Sequence, residues 1–275
     1  MFFPLHDQNN EAVKAIPVSS YILIGICMIV QLYQVILNIS DPTQKQQIHF
    51  LYRHGMVPSA FFTGDTNYEV GTIKQLIDRE ELDRIKKYPS TQAEAQIADI
   101  VDVENSSLWL MLMPLTCLFI HGGWMHILSN IWFFWIFSDN VEEKMGSGKF
   151  MIFYLLTGAL SSLGHAVLRM DSGVPLVGAS GAVSAIMGAY VTLFPSNRIT
   201  TYFCPIWFFI RRIDVPAYVV LGMYLLINLL SMTSSPHSSV AFDAHIFGFI
   251  AGGATGWLMN RISGPAQANP AGQSA

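Results

Sequence analysis

Six apolar stretches of near membrane length punctuate the chain, at about 17–39, 120–138, 150–170, 180–195, 215–233 and 240–260. A helix crossing a bilayer needs roughly 20 mostly apolar residues, so the pattern predicts an all-α integral membrane protein with six transmembrane helices. A long polar interval separates the first stretch from the second. Within its insertion, at about 64–106, Leu76, Ile77, Leu82 and Ile85 recur at helical spacing among charges, the mark of a soluble or surface helix. Leu108–Ile120 is apolar but runs straight into the second stretch. One helix through both would be too long, which favours an interfacial or re-entrant piece.

Composition agrees with this division. Of 275 residues, 52% are apolar and 12% charged, against about a quarter charged in soluble domains. The first apolar stretch has no cleavage-site pattern behind it and exceeds a signal-peptide core, so it reads as retained. Lys and Arg in the short loops set orientation. Lys14, Lys144, Lys149, Arg198, Arg211, Arg212 and Arg261 fall on one side and Arg169 alone on the other. Both termini are then expected to be cytoplasmic in a multi-pass protein, with the bacterial inner membrane as the setting. The expected division is a cytoplasmic N-terminus over 1–16, a first transmembrane helix over 17–39 and a long extracytoplasmic loop with a helical insertion over 40–107. A core of helices two to six follows over 108–262, then a disordered cytoplasmic tail over 263–275, rich in Gly, Pro, Ala and Gln. The net charge of −4 implies no nucleic-acid partner. Cys27, Cys117 and Cys204 are scattered and odd in number, suggesting neither disulfides nor a metal site.

Against this apolar background, four polar residues converge. Ser180 opens the fourth stretch within Gly178-Ala179-Ser180-Gly181, and Pro195 ends it. About fifteen residues give a helix of roughly 22 Å, short of a hydrocarbon core of about 30 Å. If the lower end of this helix meets the inner interface, Ser180 is recessed. The Gly-rich loop 172–178 must then descend into the protein, where irregular backbone is tolerated only when buried or lining a watery cavity. His245, near the outer start of the sixth stretch, and His126 and Asn130, on the second, reach a similar depth. A serine hydroxyl becomes a nucleophile when a base accepts its proton, and histidine is suited to that role. His126 and Asn130, spaced i, i+4, share one helix face and can donate N–H groups to a developing oxyanion. Asp243 is two residues from His245 and points to the other side of the helix, so the pattern suggests a dyad. Taken singly, each residue also fits a plainer role. Serines among glycines pack helices, and His126 with Asn130 could staple them. Gly248 and Gly252 suit close helix approach. Joint occurrence at one depth favours chemistry.

The chain resembles the rhomboid family of intramembrane serine proteases over about 108–260. His126-x-x-x-Asn130 is similar to the family's oxyanion pair, and Val141-Glu142-x-x-x-Gly146-x-Gly148 to the turn after its second helix. Gly178-x-Ser180-Gly181 is similar to the nucleophile motif, and Ala244-His245-x-x-Gly248 to the catalytic histidine step. The resemblance implies a six-helix bundle that cleaves membrane-anchored proteins in or near their transmembrane helices, with no cofactor and no metal. Its partners would be transmembrane protein substrates and the lipid bilayer. Many members carry an aromatic residue one turn after the nucleophile, packed on the histidine; here that position is Ser184, so His245 needs support from elsewhere. The Trp-Arg pair that some members carry in the first loop is not evident before His121. The main rival is a non-proteolytic binder that escorts membrane proteins on the same fold.

Overall fold

The fold is a computed structural model that describes residues 2–8, 15–41, 44–64, 107–206, 209–234 and 238–263. The surface helix expected around Ile73–Ile97 and the tail 264–275 lie outside them. The apolar runs become helices. α1 (Val18–Ser40) is followed by two short helices, α2 (Lys45–His54) and α3 (Pro58–Thr63). α4 (Ser107–Thr116) carries Pro114 and ends in a 3₁₀ turn at Cys117–Phe119. The chain then bends by 78° into α5 (Trp124–Met145), so the two apolar pieces are not one straight span. α6 (Ser147–Leu168), α7 (Ser180–Leu193), α8 (Ala217–Ser234) and α9 (Phe242–Ser263) complete a six-helix bundle with α1 and α5.

α7 is the axis of this bundle. Gly181 through Tyr190, ten of its fourteen residues, are buried, and α5, α6, α8 and α9 pack around it. A buried 14-residue helix does not need full membrane length, because its neighbours face the lipid. Ile26, Ile29 and Ile36 on α1, Leu156 and Leu160 on α6 and Leu226 and Leu230 on α8 are exposed. Among the described residues, α1, α6 and α8 are each long and apolar enough to cross a bilayer alone.

Two turns hold the bundle in register. Gly146 joins α5 to α6 at φ +81°, a backbone conformation that strains any residue with a side chain. One turn earlier, Glu142 is buried and caps the start of α1. Its carboxylate accepts from the backbone N–H groups of Ser19 (2.8 Å) and Ser20 (2.9 Å) and from the Ser20 hydroxyl (2.6 Å). Buried charge is tolerable here because the free N–H groups of a helix start favour an anion.

The six helices are joined by a small sheet that the apolar pattern does not reveal. β1 (Phe2–Gln8), β2 (Arg198–Ile206) and β3 (Phe209–Pro216) form an antiparallel sheet in the order β1-β2-β3. The segment between α7 and α8, expected only as a basic loop, is thus a hairpin, and the N-terminal residues add its third strand. Trp132 donates its indole N–H to Pro4 O (2.9 Å), and Tyr190 donates its hydroxyl to Asp7 Oδ2 (2.8 Å). The Asn140 amide donates to the same oxygen and to Asp139 Oδ1.

Burial raises the Asp7 carboxyl above its ordinary value, although the hydrogen bonds from Tyr190 and Asn140 work against the shift. A carboxyl raised on folding contributes stability that is complete below the unfolded value and is lost as pH rises through the folded one. β1 should therefore dock more weakly at neutral than at acid pH. Asp7→Asn keeps an acceptor without the charge. Amide hydrogen exchange in β1, measured across this range, should lose its pH-dependent opening in that variant. An unchanged dependence would remove Asp7 as its cause.

Candidate active site

The segment before α7 is held down by the first loop. Met56 and Leu176 exchange backbone hydrogen bonds of 2.9 and 2.8 Å, Ser59 N–H donates to Ser172 O (3.0 Å), and Gly178 N–H donates to Cys117 O (2.9 Å). The Gly-rich loop is therefore anchored to α3, its approach and the 3₁₀ turn, with Pro175 and Gly178 buried and the rest half-buried. Gly178 has φ +127°, and a Cβ there would fall 2.7 Å from His126 Nε2 and 3.7 Å from Ser180 Oγ. Glycine is required for both reasons. It also follows that His126 Nε2 and Ser180 Oγ flank one point in space.

Ser180 is the first residue of α7, where the leading N–H groups lack intrahelical acceptors. Its Oγ makes no hydrogen bond among the described residues. His126 accepts the Gly122 N–H at Nδ1, at 3.4 Å. With Nδ1 accepting, a neutral ring carries its proton on Nε2, the nitrogen facing Gly178 and Ser180. Asn130, one turn along α5, is buried, and its Nδ2 has no hydrogen-bond partner among the described residues. A buried amide donor left unpaired is costly, and active sites are where such donors are found waiting. Both groups suspected of oxyanion binding thus have an N–H to give.

His245 is the fourth residue of α9, whose observed start is Phe242. Backbone-to-backbone packing brings α9 to α7. A Cβ on Gly248 would overlap the Gly181 carbonyl, and one on Gly252 would overlap the Ala185 carbonyl. A Cβ on Gly181 would overlap the Ser161 hydroxyl of α6, which donates to Ala244 O at 2.8 Å. Gly181 adjoins Ser180 and Gly248 lies three residues past His245, so these contacts set Ser180 and His245 on adjoining turns. Asp243 faces α6 instead. It accepts from His165 Nδ1 (2.7 Å) and Arg169 Nε (2.9 Å), ties α9 to α6, and makes no hydrogen bond with His245 among the described residues.

Three contributors were not legible as site residues. His245 Nδ1 lies 2.8 Å from Asn228 Oδ1 on α8. The ring of Tyr224, one turn earlier, stacks on His245 at 6.4 Å and 27°, and its hydroxyl is 2.6 Å from Ser184 Oγ. The aromatic support missing at Ser184 comes across from the neighbouring helix, and the small Ser184 anchors it. The third contributor, His121, is buried beside the start of α7. Its Nε2 accepts the Ala179 N–H (3.5 Å), and Gln34 of α1 bonds both its backbone N–H and its carbonyl. A search for polar groups inside apolar stretches would have flagged Asn228. Its partner could be found only by folding the chain.

Residues 107–262 match the Rhomboid domain family, more than half of the chain, and the chain belongs to the rhomboid family. Curated relatives align over shorter stretches. Identity is 31% over 93 residues with the presenilin-associated rhomboid-like protein, mitochondrial, of Bos taurus, covering 33% of this chain and 25% of that protein. It is 35% over 75 residues with rhomboid protease GlpG of Yersinia enterocolitica, covering 27% and 26%. With the putative rhomboid protease YdcA of Bacillus subtilis it is 26% over 152 residues, covering 54% and 66%. The chain thus spans about a quarter of the length of the bovine and Yersinia proteins.

Proposed function

We propose that this rhomboid-family membrane protein is an intramembrane serine endopeptidase that cleaves membrane-anchored proteins in or near their transmembrane helices. The observation that carries this reading is the site itself. Ser180 opens α7 with its hydroxyl unpaired among the described residues, and His126 Nε2 flanks it across the Gly178 Cβ position. Asn130 Nδ2 is buried without a partner among the described residues, and the helix of His245 packs backbone to backbone on α7. Together these support the reading. His245 Nε2 takes the Ser180 proton as Oγ attacks the scissile carbonyl carbon. The tetrahedral oxyanion is met by His126 Nε2–H, Asn130 Nδ2–H and backbone N–H groups at the start of α7. Collapse breaks the C–N bond, and His245 returns the proton to the departing amine. Water, deprotonated by the same histidine, then releases the acyl group from Ser180. Apart from the substrate and one water, every group in this reaction belongs to the chain, and each step balances without a metal or cofactor. The Lys and Arg of the short loops support an orientation with both termini cytoplasmic.

A fluorophosphonate probe distinguishes the enzyme from a binder on the same fold. The purified protein should be labelled at Ser180, and absence of labelling in folded protein would favour the binder. His126→Ala and Asn130→Ala test the donors. Each should lower turnover of a transmembrane substrate by about 10²–10³, the usual cost of one oxyanion donor. Turnover unchanged with a lowered melting temperature would make these residues helix staples.

A further inference from the structure

We propose that Asn228 is a positioning residue that holds His245 in the tautomer able to act as a base, which makes the dyad a Ser-His-Asn arrangement. The inference rests on the assignment of Ser180 and His245 as nucleophile and base. Amide orientation is the first step. Asn228 Nδ2 donates to Tyr224 O at 2.8 Å, one turn back on α8. A carbonyl only accepts, so the nitrogen of the amide must face it, and Oδ1 must face His245 Nδ1 at 2.8 Å. An amide oxygen also only accepts. Nδ1 therefore bears the proton, and in the neutral ring Nε2 is left with its lone pair free. That is the nitrogen a serine needs.

The ring is held as well as polarised. Tyr224 stacks on it, and the Tyr224 hydroxyl is fixed by Ser184 Oγ, which itself donates to Ser180 O at 2.7 Å. The nucleophile's own first turn thus anchors the aromatic that steadies the base. Asn228 and Tyr224 are spaced i, i+4, so a single face of α8 supplies both contacts. Asn228 is buried. A neutral amide there orients the imidazole without placing a carboxylate in a membrane interior, where an ionised acid is expensive. Asp243, the acid closest in sequence, is committed to His165 and Arg169.

The test uses the full chain in detergent micelles and the saturation kinetics of fluorophosphonate labelling. Asn228→Leu and Asn228→Ala should lower the maximal labelling rate by about 10²-fold, toward the low end of what a general base contributes. The probe concentration at half-saturation should not move. Asn228→Asp restores an acceptor at the same atom and should recover most of the rate. A residue that only stapled α8 to α9 would shift the melting temperature without this split and without rescue. Unchanged labelling in folded Asn228→Leu or Asn228→Ala overturns the proposal while leaving Ser180 as nucleophile. If neither folds, Asn228→Asp decides, since a folded variant labelled far below the parent rate also overturns it. A parent protein that takes no label at Ser180 would fell the protease reading and this proposal together.

Discussion

Ser180→Ala and His245→Ala are each expected to reduce cleavage of a transmembrane substrate by about 10⁴-fold or more, with folding preserved. Ser180 Oγ makes no hydrogen bond among the described residues that the variant would break, and alanine suits a half-buried helix start flanked by Ala179 and Gly181. His245→Ala costs more structurally, because Asn228 Oδ1 loses its partner and the Tyr224 ring its stacking surface. A melting temperature measured alongside activity separates the two effects. Because the proposed nucleophile and base would act as one unit, the double variant should be little worse than either single one. Proteolysis by Ser180→Ala in liposomes at a substantial fraction of the parent rate would end the serine-protease assignment.

The same pair shows what could and could not be read along the chain. Ser180, His245, His126 and Asn130 stood out because each is a polar group at similar depth in an apolar run, and burying such a group needs a reason. Gly248 and Gly252 could be read as a close-approach step, and the structure puts carbonyls of α7 in the space their side chains would fill. Support for His245 was legible only in part: Asn228 is a polar group inside an apolar stretch, but nothing along the chain marks its partner. Sequence position suggested the residue one turn after Ser180, whereas the aromatic and the amide come from α8, about 20 residues before His245 in the chain. The sheet was hidden for the same reason. β1 and β2 are separated by four of the six bundle helices, and strands of seven to nine residues flanking long apolar helices carry too little pattern to announce a partner so distant. Local periodicity reports which face is apolar; it does not report which element meets it.

Gly252→Ala should cost about 3 kcal/mol of stability and most of the activity, more than any other single methyl group added to the helices that carry the proposed site. The added Cβ would overlap the carbonyl of Ala185, with the Ala185 carbonyl carbon 2.5 Å away. Both partners are backbone, so no side-chain rotation relieves the contact; α9 must move away from α7. In a bilayer, where lipid is as apolar as the helix surface, that close packing is a main source of helix association. The displacement also carries His245, two turns earlier on the same helix, away from Ser180, so turnover should fall with stability. Gly222→Ala on α8 is the control. Nothing lies within 4 Å of its Cβ position, and alanine is the better helix former by about 1 kcal/mol, so this variant should melt at or slightly above the parent temperature with activity intact. Thermal unfolding of the two variants in the same micelles gives the comparison. Equal melting temperatures would mean that α7 and α9 do not meet through Gly252, and the packing proposed to bring Ser180 and His245 side by side would have to be sought elsewhere.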